Sequence, residues 1–139
     1  MSEESQEESN FFSKDLSAEE RNLYDRQFRL EGWNQKILKD AKVLIAGVGG
    51  LGCEIAKNLA MVGVGNILLV DLDIIEYSNL NRQILFIDAP MGESKAVAAA
   101  KKLRQVNPTI KIKAFHSSLE SLPPKAYIIA DVIVGGLDS

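Results

Sequence analysis

The wholly apolar run Val43-Leu44-Ile45-Ala46 breaks directly into Gly47-Val48-Gly49-Gly50-Leu51-Gly52, with no polar residue between. A run lacking polar alternation predicts a strand buried on both faces. Gly47, Gly49 and Gly52 have the spacing of a tight strand-to-helix turn. In such a turn the backbone can approach a phosphate or ribose, and the helix N-terminus favours negative charge. Leu51 to Val62 then has helical spacing, with Ile55, Leu59 and Val62 on one face, until Gly63-Val64-Gly65 stops it.

The rest of the chain repeats this alternation. Asn66 to Asp71 reads as a second strand, followed by a long polar loop through Gln83. A helix is expected from about Gly92 to Gln105, closed by Asn107-Pro108. Ile110 to Phe115 and Val132 to Gly135 read as further strands. Upstream, Ser17 and Glu20 have capping-box spacing ahead of a helix expected from Ala18 to Leu30. Gly32 interrupts, and a short helix from about Asn34 to Lys39 follows. Short apolar strands alternating with helices define an α/β fold of Rossmann-like type, a mainly parallel sheet with helices on both faces. Ligands of such sheets bind at the carboxyl ends of the strands, where the glycine turn, the loop after Asp71 and Asp138 all fall. The last strand has no helix after it, so the expected domain, residues 17–139, is incomplete at its C-terminus. Residues 1–16 are acidic and rich in Ser and Glu, a composition expected to stay disordered.

Composition narrows the function classes. The net charge of −3 carries no electrostatic footprint for nucleic acid or an anionic membrane. The apolar runs are too short to span a bilayer, and the acidic N-terminus is unlike a secretory or mitochondrial leader. The single cysteine, Cys53, excludes an internal disulfide framework and a multi-cysteine zinc site. A cytoplasmic location is expected.

The glycine turn with Asp71, whose carboxylate can accept ribose hydroxyls, points to an adenine nucleotide, and NAD fits it as well as ATP. The stretch Asp71 to Gln83 argues for ATP. Cleavage between the α and β phosphates moves charge onto pyrophosphate, and Arg82 can clamp phosphate oxygens with its planar fork. Asn79 and Gln83 can orient the nucleotide through neutral hydrogen bonds, and Lys95 supplies a second positive charge. Asp138 can hold magnesium through one carboxylate. Taken singly, a loop Arg or Lys is usually solvated surface, and Asp138 could simply end a strand. Their joint appearance at strand ends favours a site.

From about Tyr24 to Ser139 the chain resembles the ThiF/MoeB superfamily, which includes the activating enzymes for ubiquitin and ubiquitin-like proteins. The matching pieces are Tyr24-Asp25-Arg26-Gln27, the glycine turn through Glu54, Ser78-Asn79-Leu80-Asn81-Arg82-Gln83, Gly92 to Lys95 and Gly136-Leu137-Asp138-Ser139. The resemblance implies ATP- and Mg2+-dependent adenylation of the C-terminal carboxylate of a ubiquitin-like or sulfur-carrier protein. It also implies a homodimer or a heterodimer with a related subunit. Gly50 and Asp71 would contact the adenosine, and Ser78, Asn79 and Arg82 would line the phosphate path. Lys95 would neutralise phosphate, Asp138 would bind magnesium and Ser139 would sit beside the nucleotide. Arg26 would act as an arginine finger in the site of the partner subunit.

Cys53 lies inside the nucleotide turn, where a helix dipole favours a thiolate. The family's catalytic thiol, however, lies downstream of the last aspartate, so Cys53 is read as core packing. His116 has no neighbouring ligand candidate and is read as structural or exposed. Trp33 is read as packing ahead of a dimer contact. Two alternatives stay open: a non-catalytic scaffold subunit of a heterodimeric activating enzyme, and an NAD-dependent oxidoreductase.

Overall fold

The computed structural model describes residues 16–81 and 83–137. Arg82, Asp138, Ser139 and nearly all of the expected tail therefore lie outside the described residues. Leu16, which the expected boundary assigned to the tail, is buried. The helices are α1 (Ala18–Leu23), α2 (Gln35–Asp40), α3 (Gly50–Val62), α4 (Lys95–Val106) and α5 (Pro124–Ile129). The strands are β1 (Lys42–Ala46), β2 (Asn66–Asp71), β3 (Lys111–His116) and β4 (Val132–Gly135).

The strands form one sheet in the order β3-β2-β1-β4 with every pairing parallel, as the alternation predicts. Side chains alternate across it. Val43 and Ile45 of β1 join Ile67 and Leu69 of β2 in a cluster with Cys53, Ala56, Ala60, Ala99 and Leu103 of α3 and α4. Leu44, Ala46, Leu68 and Val70 pack on the opposite face with Leu122 and Ala126. Each face of β1 and β2 is thus covered, which is why their sequences lack polar alternation. Alanines at positions 96, 98, 99 and 100 let α4 lie close to the sheet and to Phe86, which is fully buried.

Two expectations change, and one helix is added. The helix expected to run from Ala18 to Leu30 ends at Leu23 and resumes as a 3-10 turn at Gln27–Arg29. A helix this short is marginal alone, and the tertiary contacts of Tyr24 and Gln27 decide its path. The helix expected from Gly92 begins at Lys95, because Gly92 is in the left-handed region (φ 84°) and Ser94 is the N-cap, accepting from Val97 N–H. Helix α5 is not predicted by the sequence pattern. It is only six residues long, and its opening Pro123-Pro124 reads as loop, although proline suits the first helical turn. No helix among the described residues is long and apolar enough to cross a membrane.

Candidate nucleotide site

The glycine loop is shaped by close backbone packing. Gly47 adopts φ 96°, and a Cβ there would lie 2.7 Å from the carbonyl carbon and oxygen of Gly136. A Cβ on Gly52 would fall onto the carbonyl oxygen of Gly47. The loop therefore joins β1, the first turn of α3 and the segment after β4 with no room for a side chain at Gly47 or Gly52. Gly49 is the N-cap of α3 and provides no side-chain cap. The positive end of a 13-residue helix is left open at the carboxyl edge of the sheet.

Asp71 ends β2 beside this loop and is 8% exposed. Its Oδ2 accepts from Val48 N–H at 2.7 Å and its Oδ1 from Asp73 N–H at 2.7 Å. The carboxylate thus braces two loops. A carboxylate has about four lone-pair sites, so it keeps capacity for hydroxyl donors. Lys95 opens α4 and is 6% exposed. Its backbone N–H reaches Asp73 O at 3.1 Å, and its Nζ lies 3.8 Å from Asp73 Oδ2, too far for a hydrogen bond. Buried ammonium groups are normally paired, and among the described residues Lys95 has only this loose ion pair with a carboxylate that is 71% exposed.

These groups border a cleft of about 320 Å3. Of the expected site residues, Gly47, Gly49, Asp71 and Lys95 line it. Gly50 and Gly52 form the first turn of α3 behind the loop. Asn79 is buried, and its Oδ1 accepts from Glu76 N–H at 2.8 Å, capping the 3-10 turn Tyr77–Asn79 that also carries exposed Ser78. Gln83 is 2% exposed and its Oε1 has no hydrogen-bond partner among the described residues. A Cβ built on Gly49 would lie 4.0 Å from Gln83 Nε2, so this amide sits against the N-terminus of α3.

One wall was missed in the sequence. Ser117, Ser118, Leu119 and Glu120, which follow β3, line the cleft, and Ser117 Oγ is buried without a partner among the described residues. The signal available was topological, since β3 also ends at the carboxyl edge.

Arg26 stands apart from all of this. Its neighbour Gln27 bonds to Val62 O, at the end of α3 opposite the glycine loop. Twelve helical rises separate Gly50 from Val62, about 18 Å. Magnesium through Asp138 lies outside the described residues. Among those described, no group of three or more His, Cys, Asp or Glu side chains is disposed to hold a metal.

Cys53 is fully buried, with Sγ 3.4 Å from Val48 O, and burial pushes its thiol up to about 12. Desolvation outweighs any helix-end effect, so the thiol acts as packing. His116 is exposed, with Nε2 3.0 Å from Leu72 O. Trp33 Nε1 donates to Gln35 Oε1 at 2.8 Å.

A parallel sheet with helices, whose glycine loop, acidic strand end and buried lysine border one cleft, makes this a Rossmann-like α/β domain. The sequence profile of the ThiF family matches residues 20–139, and the chain belongs to that family. It is 42% identical over 117 residues to the molybdopterin-synthase adenylyltransferase of Escherichia coli (strain K12), covering 82% of this chain and 47% of that protein. It is 45% identical over 101 residues to the NEDD8-activating enzyme E1 catalytic subunit of Saccharomyces cerevisiae, covering 72% and 34%. The chain thus spans less than half the length of either relative. Among solved structures, the tRNA N6-threonylcarbamoyladenosine dehydratase of E. coli in complex with ATP superposes with a TM-score of 0.81 at 28% identity, covering 89% of this chain and 52% of that one.

Proposed function

We propose that this chain is the ATP-binding part of an enzyme that adenylates the C-terminal carboxylate of a ubiquitin-like or sulfur-carrier protein. The observation that carries the reading is Lys95, a largely buried lysine whose only ion pair among the described residues is a loose one to exposed Asp73, lining the same cleft as the N-terminus of α3. That arrangement suits an anionic phosphate chain. Asp71, braced beside the cleft, is placed to receive ribose hydroxyls. The relatives' adenylyltransferase and activating-enzyme activities support the same reaction class.

In this reading a carboxylate oxygen of the modifier attacks the α phosphorus of ATP. The bond from that phosphorus to the bridging oxygen breaks, and pyrophosphate leaves with the electron pair. A C-terminal carboxylate has a reference pKa near about 3.5 and is ionised at neutral pH, so no general base is needed. The chain's task is to position the reactants and stabilise charge. Lys95 and Arg82 serve the departing phosphates. Ser78, Asn79 and Gln83 orient the phosphate path, Gly50 and Ser139 adjoin the nucleotide, and Asp138 would hold Mg2+, which neutralises phosphate charge when bound. Arg26, fixed at the far end of α3, serves the cleft of a second subunit, which makes the working unit a dimer in a cytoplasmic conjugation or sulfur-transfer pathway.

Pyrophosphate exchange into ATP, run with Mg2+ and candidate ubiquitin-like proteins, tests this. Exchange should require a free modifier C-terminus and fall by about 10²-fold or more in Lys95→Ala and Arg82→Ala. Exchange that persists undiminished in both variants overturns the assignment.

A further inference from the structure

The turn that carries Arg26 is fastened on both sides, while the Arg26 guanidinium bonds to no described residue. Tyr24 is 2% exposed; its hydroxyl accepts from Asn107 Nδ2 at 2.6 Å and lies 3.1 Å from Thr109 Oγ1. Thr109 Oγ1 donates in turn to Asn107 Oδ1 at 2.6 Å, which leaves the Tyr24 hydroxyl to donate to Thr109 and closes a three-residue circuit. Three residues on, Gln27 Nε2 donates to Gln35 Oε1 at 2.7 Å and to Val62 O at 3.1 Å. Gln35, 1% exposed, itself donates to Val62 O at 2.8 Å. Asp25 is taken by Arg29 at 3.0 Å.

Arg26 is exposed; its backbone carbonyl accepts from Arg29 N–H at 3.3 Å, and its guanidinium bonds to no described residue. A turn this constrained holds the Arg26 backbone at one point on the surface. It also holds it about 18 Å along α3 from the chain's own glycine loop. Polar side chains committed to one backbone carbonyl at a helix end are a rigid mount, not a solvated surface.

We infer that Gln27 is a positioning residue. Its paired hydrogen bonds to Gln35 Oε1 and Val62 O, with Tyr24 as the anchor, set where the Arg26 guanidinium is presented to the nucleotide cleft of a second subunit. This rests on the adenylation reading and adds how the finger is aimed. It also gives a reason for Tyr24 and Gln27 to flank Arg26 at their spacing. One on each side grips the core, and the charge stands between them.

A double-mutant cycle on the intact chain, assembled as it is in solution, separates aiming from mere folding. Pyrophosphate exchange is measured for wild type, Arg26→Ala, Gln27→Ala and the double variant, with thermal melting in parallel. Arg26→Ala should lower kcat by about 10²-fold. Gln27→Ala should lower kcat about ten-fold with the KM for ATP unchanged, and should add nothing in the Arg26→Ala background. If Gln27→Ala unfolds the chain, Tyr24→Phe keeps the ring and removes only the hydroxyl bonds, and the same non-additivity is expected. A Gln27 effect of equal size in both backgrounds marks a structural role and overturns the inference. A silent Arg26→Ala in a protein that still exchanges pyrophosphate overturns it while leaving the adenylation reading intact. A wild type that binds no ATP overturns both.

Discussion

Asp71 Oδ2 accepts a 2.7 Å hydrogen bond from the backbone N–H of Val48, tying the end of β2 to the middle of the glycine loop 23 residues earlier. Its other oxygen accepts from Asp73 N–H at the same distance. Both oxygens face N–H donors, so Asp71→Asn must turn its own NH2 group toward one of them. One buried N–H then loses its acceptor and meets a donor instead, at a cost of about 1–3 kcal/mol. Chemical denaturation should show that loss, and titration calorimetry should show weaker ATP binding. Unchanged stability in Asp71→Asn would mean that the brace contributes nothing.

Lys95 sets stability against binding. Its side chain is 8% exposed, and its nearest anion among the described residues, Asp73, is 71% exposed and 3.8 Å away. Lys95→Met removes a poorly compensated buried charge, so the folded state should be unchanged or more stable, within about 1 kcal/mol. In the adenylation reading the same change removes a charge-assisted contact to phosphate worth about 1.5–3 kcal/mol, an affinity loss of about 10- to 150-fold. Calorimetry of ATP against adenosine checks the origin of the loss. Adenosine affinity should not move.

Much of this site was legible because glycine spacing and apolar continuity are local signals. Gly47, Gly49, Gly52 and the end of β2 at Asp71 fall where the pattern puts them. What stayed hidden depends on contacts distant in sequence. Nothing near Asp71 announces that its oxygens are occupied by Val48 and Asp73. Tyr24 meets Asn107 across 83 residues, and that contact bends a predicted long helix into two short pieces. Ser117 to Glu120 form a wall of the cleft only because β3 lies next to β2 in the sheet, a neighbour relation that local periodicity does not encode.

Acid sensitivity should have an identifiable contribution from Glu20. Burial raises this carboxyl, but its hydrogen bonds from Ser17 and Lys39 outweigh that and hold it below its ordinary value of 4.5. A depressed carboxyl contributes stability above its unfolded pKa and loses that contribution as pH falls through the lower folded value. Glu20→Gln should therefore be less stable than wild type near neutrality, and the gap should close as pH drops below 4.5. Urea denaturation midpoints measured from neutral pH into the acid range follow this directly. A gap that widens on acidification contradicts the sign.

The glycine loop separates folding from ligand approach at two positions three residues apart. In Gly52→Ala the new Cβ falls onto the carbonyl oxygen of Gly47, a backbone atom with no flexible end to move aside. The loop, α3 or both must shift, and overpacking of this kind costs about 1–3 kcal/mol or more. At Gly49 a Cβ meets only Gln83 Nε2, at 4.0 Å, and φ is an ordinary −81°. Gly49→Ala should therefore fold with stability within about 1 kcal/mol of wild type. Gly49 also lines the cleft beside the N-terminus of α3, so in the adenylation reading its methyl group stands where phosphate oxygens approach. ATP affinity should fall in Gly49→Ala while the melting transition stays near that of wild type. Gly52→Ala should lose the transition first. Both are read from one thermal melt run with and without ATP. If Gly49→Ala binds ATP as tightly as wild type, the phosphates do not pass over this turn, and the cleft would have to be entered from the Ser117 side.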